Sequence, residues 1–169
     1  VTRGCPWNRC TFCSMYKATK FEIRDIGEIK ADIEMARELY GDRVGTVFIG
    51  DSNSLTIKTD ILVEVLKSLY SSFPHLERVT SYARAKTLAK KPLEDLEKIR
   101  QAGLTRLHVG LETGDRDLLK EIEKGATPEE MVEAGRKSKK AGFEYSLYVL
   151  LGIGGEEKWE SHARGTAQV

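Results

Sequence analysis

The strongest constraint on the fold of this chain is the regular alternation of helical and extended sequence patterns, with few residues between them. Segments typical of strands occupy four stretches, at roughly residues 44–49, 78–83, 104–111 and 143–151. Strands that alternate with helices favour parallel pairing through right-handed crossovers, and the regular spacing favours a barrel or partial barrel over an open sheet. A fifth strand is possible before Cys5, which is still too few to close an eight-unit barrel.

Residues with strong preferences for helix ends mark the predicted helices. Asp115 is an N-cap for a short helix that runs to Gly125, and Thr127-Pro128-Glu129-Glu130 is a capping box with proline at the first helical position. Ala-Gly pairs at 102–103 and 141–142 end two helices directly before a strand. Further helices are predicted from about residue 29 to Gly41, from Thr59 to Pro74 and from Pro92 to Ala102.

The alternation of side chains along the strands predicts a polar interior. Arg106, His108, Gly110 and Glu112 share one face of their strand, whereas Leu107, Val109 and Leu111 share the other and should meet helices. The segment 143–151 sorts in the same way, with Tyr148 on the polar face and Leu147, Val149 and Leu151 on the opposite one. A filled barrel favours Val, Ile and Leu inside, so a polar lining predicts a cavity that holds a ligand. The alternative is a half-solvated antiparallel sheet.

All three cysteines of the chain lie within nine positions, as Cys5, Cys10 and Cys13, in the spacing C-x4-C-x2-C. An odd number of thiols in so tight a run indicates a single metal site and not disulfides. Three thiolates can cap three corners of a cubane iron–sulfur cluster and leave the fourth iron without a protein ligand. Zinc in a Cys3His site is the alternative, with His75, His108 or His162 as the fourth ligand.

Composition excludes some classes of function. A formal net charge of +1 on 169 residues gives no broad electrostatic footprint for nucleic acid, and the basic run Arg136, Lys137, Lys139 and Lys140 is interpreted first as the solvated face of a helix. No apolar run is long enough to cross a bilayer, so no membrane partner is expected. Reduced cysteines predict a cytoplasmic location. The chain opens at Val1 without a methionine, so we expect it to be a piece of a longer protein.

The segment Gly4 to Lys17, GCPWNRCTFCSMYK, resembles the cluster-binding loop of the radical S-adenosylmethionine (radical SAM) superfamily. The usual spacing there is C-x3-C-x2-C with an aromatic residue before the last cysteine. Phe12 matches that aromatic residue, and the first interval is one residue longer here. Gly50-Asp51-Ser52 stands where the superfamily has a Gly-Gly-Glu motif that meets the methionine amino group.

Two further segments are similar to the pattern of that superfamily. Glu112, in Val109-Gly110-Leu111-Glu112-Thr113, resembles the polar residue that hydrogen-bonds the ribose hydroxyls of the cofactor, and Arg84 stands where a basic residue often lies near the cofactor carboxylate. Gly152-Ile153-Gly154-Gly155 resembles the motif that packs on adenine, which gives Gly152, Ile153 and Gly155 an expected role in cofactor binding.

The resemblance implies a fold and a reaction. The fold would be α/β, a partial (β/α)6 TIM-like barrel with parallel strands and outer helices that lacks its terminal strand or strands, with residues 1–169 as one core domain. Cys5, Cys10 and Cys13 would hold a [4Fe–4S] cluster that reductively cleaves S-adenosylmethionine to a 5′-deoxyadenosyl radical, and the radical would abstract hydrogen from an unidentified substrate. His108 is the candidate substrate-facing residue. A small electron donor such as flavodoxin or ferredoxin would supply the electron.

Two other classes of function stay open at the level of sequence. One is a non-catalytic zinc-stabilised module that binds RNA through the basic helix and Tyr82, Arg84 or Lys86. The other is a plain barrel aldolase or phosphate-binding enzyme, for which the sequence offers no evident Schiff-base lysine or phosphate loop and no use for the cysteines.

Overall fold

The computed structural model of the protein describes residues 1–169, which form a parallel sheet with helices packed against one face. Two short 3₁₀ turns, Gly41–Arg43 and Ser54–Thr56, flank the first strand of that sheet. In chain order the strands and helices are β1 Thr2–Arg3, β2 Glu22–Ile23, α1 Ile26–Tyr40, β3 Thr46–Ile49, α2 Thr59–Ser72, β4 Arg78–Ala83, α3 Ala85–Lys90, α4 Leu93–Gln101, β5 Leu104–Glu112, α5 Arg116–Glu121, α6 Pro128–Lys140, β6 Glu144–Val149 and α7 Trp159–Gln168.

The four predicted strands form one parallel sheet in the order β3-β4-β5-β6, so each is paired with its neighbour in the chain. Helices connect them, as the alternating pattern predicts, and the result is a partial barrel wall. The strand considered before Cys5 exists as β1, but it does not join this sheet. β1 pairs antiparallel with β2, and an ion pair between Arg3 and Glu22 joins the two strands, so this hairpin closes the base of the cysteine loop.

Local capping chemistry sets several helix boundaries where the sequence predicts them. The Asp115 side chain accepts a hydrogen bond of 2.8 Å from the Leu118 amide, and Thr127 and Glu130 form the reciprocal capping box. The short helix α5 ends at Glu121 and not at Gly125. The chain turns at Glu123, which has a φ of 49°. The main-chain carbonyl groups of residues 122–124 accept hydrogen bonds from the cysteine loop and from Arg84. Helices α3 and α7 were not predicted.

The core lies between the sheet and its helices. Leu107, Val109 and Leu111 of β5 are buried there, whereas Arg106 and His108 are only half-buried on the opposite face, as the alternation predicts. The same expectation is wrong for Leu147 and Val149 of β6, which are 38% and 36% exposed. β6 is the edge strand of the sheet, so it has a neighbour on one side only. No helix of this structure combines the length and apolar character that a membrane span requires.

Candidate functional site

The cysteine loop between β1 and β2 is held against the end of β3 by two hydrogen bonds to one glycine. The Gly4 amide donates to Asp51 Oδ2 at 2.9 Å, and Ser52 Oγ donates to the Gly4 carbonyl at 2.9 Å. Both partners directly follow β3, at the carboxyl end of the sheet. Within the loop, Asn8 Nδ2 donates to the Tyr16 carbonyl at 2.7 Å. The loop therefore has a defined path although it contains no regular structure.

A second segment, residues 122–125 between α5 and α6, holds the loop from the other side; we call it the 122–125 strap. The Thr11 amide donates to the Ile122 carbonyl at 3.0 Å, and Trp7 Nε1 donates to the Glu123 carbonyl at 2.7 Å. The Trp7 ring packs on Gly125 so closely that a Cβ there would lie 2.3 Å from a ring carbon. Sequence reasoning missed this strap, because carbonyl acceptors leave no residue-type signal. The glycine at 125 is its only trace in the sequence.

The loop and the strands together enclose a cavity of about 300 Å³ at the carboxyl end of the sheet. This cavity contains all three cysteines and half of the residues predicted to bind the cofactor or face the substrate. Its predicted members are Cys5, Cys10, Cys13, Phe12, Ser52, Arg84, His108 and Glu112, and Met15, Tyr16, Tyr82, Gly110, Lys124 and Tyr148 are among the others. The structure thus brings together side chains that are more than 100 positions apart in the sequence.

Glu112 ends β5 with a φ of 64° and pairs with Lys124 of the strap, Nζ to Oε1 at 2.7 Å. Both side chains are nearly buried, at 13% exposure for Lys124 and 10% for Glu112. Gly110 makes this geometry possible, because a Cβ at that position would lie 2.1 Å from Glu112 Oε1. The sequence predicts Glu112 as a site residue, but it predicts neither the ion pair with Lys124 nor the close contact with Gly110.

The surroundings of the thiols differ. Burial raises the pKa of Cys5, but hydrogen bonds from the backbone of Asn8 and Trp7 outweigh it, so the pKa of that thiol is lowered overall. The Asn8 amide lies 3.4 Å from Cys5 Sγ. Burial raises the pKa of Cys10, and the positive charges of Lys124 and Arg84 only partly oppose that effect. The surroundings of Cys5 thus favour its thiolate, whereas the pKa of Cys10 is raised overall.

Arg84 lies between the strap and the loop. Its Nη2 donates to the Lys124 carbonyl at 3.1 Å, and its guanidinium carbon lies 5.2 Å from the centroid of the Trp7 ring. Burial lowers the pKa of Arg84, an effect that the Cys5 and Cys10 side chains oppose. The guanidinium therefore contributes positive charge to the cavity while its contacts fix its position.

The remaining predicted cofactor residues lie outside the cavity. Gly50 and Asp51 follow β3 and do not line the cavity, and the Asp51 side chain accepts a hydrogen bond from the Gly4 amide. Gly152, Ile153 and Gly155 form a turn after β6 in which the Gly155 amide donates to the Gly152 carbonyl at 3.0 Å, and none of the three lines the cavity. The predicted roles of these residues stay predictions.

The arrangement of the cysteines differs from that of a mononuclear zinc site. No three His, Cys, Asp or Glu side chains converge closely enough to surround one metal ion. His162 is buried against Thr113 Oγ1 at 2.9 Å, and His108 hydrogen-bonds Tyr148, so each of these two rings has a hydrogen-bond partner other than a thiol. The three thiols therefore line one cavity without forming a closed set of ligands around a single ion.

The surface proposed for RNA in the zinc-module alternative is not a continuous basic face. Lys137 Nζ donates to the Ala89 carbonyl at 2.8 Å and so ties α6 to α3. Arg84 and Tyr82 face the cavity. Arg136, Lys139 and Lys140 are exposed, as the interpretation of a solvated helix face predicts.

The fold and the site together define a class of protein, a partial α/β barrel in which a three-cysteine loop closes the carboxyl end of the strands over a polar lumen. The family model for the Radical SAM superfamily matches residues 1–164 of this chain. The chain belongs to this superfamily, whose enzymes use an iron–sulfur cluster and S-adenosylmethionine.

Curated relatives are similar over most of this chain. It is 24% identical over 157 residues to the heme chaperone HemW of Buchnera aphidicola subsp. Schizaphis graminum, which covers 88% of this chain and 41% of the relative. It is 31% identical over 147 residues to GTP 3′,8-cyclase of Listeria monocytogenes serovar 1/2a, which covers 85% of this chain and 41% of that enzyme. The chain thus spans about two-fifths of the length of these relatives.

Solved structures share the fold at low identity. Methylornithine synthase PylB superimposes with a TM-score of 0.69 at 21% identity, over 99% of this chain and 48% of that protein. The cobalamin-dependent S-adenosylmethionine radical enzyme OxsB, with aqua-cobalamin and S-adenosylmethionine bound, gives a TM-score of 0.69 at 18% identity, over 97% of this chain and 25% of that enzyme. These likenesses confirm the α/β partial barrel.

Proposed function

We propose that this chain is the catalytic core of a radical SAM enzyme in which Cys5, Cys10 and Cys13 hold a [4Fe–4S] cluster and the cavity beside them binds S-adenosylmethionine. The observation that carries the proposal is that the three thiols line one cavity of about 300 Å³ together with Arg84 and Glu112. Cluster and cofactor together supply a 5′-deoxyadenosyl radical that abstracts hydrogen from a substrate C–H bond.

The side chains around the cavity fit these groups by their chemistry. Three unpaired thiols offer soft ligands, and Cys5 already receives a hydrogen bond of the kind that stabilises a thiolate. Arg84 provides a cation for a carboxylate, and Glu112 provides acceptors for hydroxyl groups. Phe12 lines the cavity and is 40% exposed, with Lys124 Nζ 5.8 Å from the centroid of its ring. We propose that it shields the reactive centre from water.

The protein itself orients the cofactor and excludes solvent. The bond to Lys124 fixes the Glu112 carboxylate, and the strap and Trp7 fix Arg84, so both polar groups are positioned before a ligand arrives. His108 lines the same cavity and is the proposed substrate-facing residue. We also propose that Gly152, Ile153 and Gly155 contact the adenine of the cofactor.

Enzymes of this superfamily need a reductant. We propose a small electron-transfer protein such as flavodoxin or ferredoxin as the donor and a cytoplasmic location, which suits unpaired thiols. The relatives are named for unlike ligands, heme in one case and GTP in the other, and we transfer neither to this chain.

The test is anaerobic reconstitution of the 169-residue chain with iron and sulfide. We expect brown protein with iron and sulfide near four each per chain, as a cubane requires, and formation of 5′-deoxyadenosine from S-adenosylmethionine on reduction with dithionite. Cys10→Ala should lose both iron and turnover.

Ser14→Ala is the matched control, because Ser14 lies in the same loop with an exposed side chain. It should retain iron and turnover. Full cluster content and turnover in Cys10→Ala would contradict the ligand assignment, and colourless wild-type protein with one zinc per chain would favour the structural-module alternative.

A further inference from the structure

Four aromatic rings cross the inner face of the sheet below the cysteine loop, one from each strand. They are Phe48 of β3, Tyr82 of β4, His108 of β5 and Tyr148 of β6, and we call them the aromatic band. Ring centroids are 4.7 Å apart for Phe48 and Tyr82, 6.2 Å for Tyr82 and His108, and 5.8 Å for His108 and Tyr148. The band is therefore a continuous surface of ring atoms.

The band is exposed where folding would normally bury it. Phe48, Tyr82 and Tyr148 are 47%, 39% and 45% exposed, although the hydrophobic core lies on the other face of the same strands. Tyr82 meets Phe48 at 75° and His108 at 74°, so it turns its edge or face toward each neighbour without stacking on it. Ring surface thus remains available for a flat molecule to stack on.

The charges below the band are mainly positive. Arg106 and Arg78 precede His108 and Tyr82 by two and four residues on their strands, on the same faces. Glu144 pairs with Arg106, Nε to Oε2 at 2.6 Å, whereas Arg78 has no ion-pair partner. Burial and then the charges of Arg106 and Arg78 lower the pKa of His108, so this ring is neutral at neutral pH and the net charge beside it is that of Arg78.

The band is continuous with the cavity proposed to hold the cofactor. Tyr82, His108 and Tyr148 line that cavity together with the three cysteines and Glu112. His108 and Glu112 are four positions apart on β5, which is about 13 Å along an extended strand. The thiols and three rings of the band therefore line one cavity, and Arg106 and Arg78 lie nearer the amino ends of β5 and β4.

We infer that the aromatic band binds the substrate, and that the substrate is a planar aromatic molecule whose acidic group points toward Arg78. The rings provide stacking surface, the neutral His108 and the Tyr148 hydroxyl provide hydrogen-bonding groups, and Arg78 provides the charge. This substrate class rests on the proposed function, because hydrogen abstraction by a 5′-deoxyadenosyl radical requires the substrate to lie beside the cofactor.

Three small probes separate planarity from charge in binding experiments on the 169-residue chain. 2-Naphthoate is planar and anionic, decahydro-2-naphthoate is anionic but not planar, and 2-naphthalenemethanol is planar but neutral. We expect calorimetric titration to rank 2-naphthoate first. Equal affinity for 2-naphthoate and decahydro-2-naphthoate would overturn the inference.

Variants locate the binding. Tyr148→Leu and Tyr82→Leu should each weaken 2-naphthoate binding by about two- to tenfold, the value of one aromatic contact. Arg78→Gln should weaken binding of 2-naphthoate and leave binding of 2-naphthalenemethanol unchanged. Trp159→Leu and Arg136→Gln are matched controls, since both residues are exposed on helices, α7 and α6, and neither lines the cavity. Losses in these controls equal to those in the band variants would also overturn it.

Iron content and 5′-deoxyadenosine formation, measured on the same preparations, report separately on the proposed function. Protein that holds the cluster and cleaves the cofactor but shows no preference for the planar anion overturns the substrate class alone. Selective binding of 2-naphthoate that the band variants weaken, in protein that never assembles a cluster, supports the binding site and overturns the enzymatic role.

Discussion

The pair formed by Glu112 and Lys124 allows a quantitative test of how the site is held together. Lys124→Met keeps most of the side-chain volume and removes the charge. It leaves the Glu112 carboxylate, 10% exposed, without its cation. Removal of one partner from a buried ion pair costs about 3–5 kcal/mol, and the slight exposure of this pair favours the lower value, about 3 kcal/mol. For a domain of this size that is a fall in Tm of about 6–12 °C.

The measurement is a double-mutant cycle by urea unfolding of the cluster-free chain. Glu112→Gln combined with Lys124→Met removes both charges, so it should recover most of the free energy that Lys124→Met loses. Lys120→Met is the control, because Lys120 pairs with Asp117 at 3.0 Å but is 71% exposed. It should change the free energy of unfolding by less than about 1 kcal/mol.

Two results would refute this reasoning. One is a cost for Lys124→Met no larger than that for Lys120→Met, which would place the pair effectively in solvent. The other is a cycle without coupling, in which the double variant loses the sum of the two single losses. Either result would also remove the argument that Lys124 positions Glu112 for a cofactor.

Other predictions concern backbone strain and pH. Gly125→Ala should cost about 2–4 kcal/mol, because the added Cβ would lie 2.3 Å from Trp7 at a φ of +68°. Gly152→Ala, at a φ of +77° with nothing within 4 Å, should cost only about 1 kcal/mol in urea unfolding followed by tryptophan fluorescence. Equal costs would show that the contact with Trp7 is unimportant. Asp115 has a pKa lowered below 3.8, chiefly by the hydrogen bond from the Leu118 amide, so its contribution is present at neutral pH and lost as the pH falls through that lowered value. Wild-type protein should therefore lose more stability between about pH 7 and about pH 3 than Asp115→Asn, which keeps a capping oxygen. The same loss in both proteins would contradict this assignment.

Features that depend on nearby residues could be predicted from the sequence. The Thr127 capping box and the Gly103 and Gly142 helix ends, with φ of 112° and 87°, require only local chemistry. The inward face of β5 follows from alternation, and Glu112 and His108 meet the cysteines because the carboxyl halves of parallel strands share one end of the sheet.

Features that depend on distant partners could not be predicted. β1 and β2 pair across the whole cysteine loop. Each has only two residues, which is too short for a periodic pattern of side chains to show. The local sequence does not distinguish Lys124 from an exposed lysine, because its partner Glu112 is brought close only by the fold. The exposure of Leu147 and Val149 depends on β6 being the edge strand, which the local pattern of the sequence does not specify.

The strap holds the cysteine loop through the main-chain oxygens of Ile122 and Glu123, and this has a consequence for evolution. An exposed position such as 123 can drift freely among residues that tolerate its turn, since the bond from Trp7 asks only for a carbonyl. Related domains could therefore acquire new side chains at this position while the hydrogen bonds that hold the cysteine loop stay the same. Selection should instead act against any side chain at Gly125.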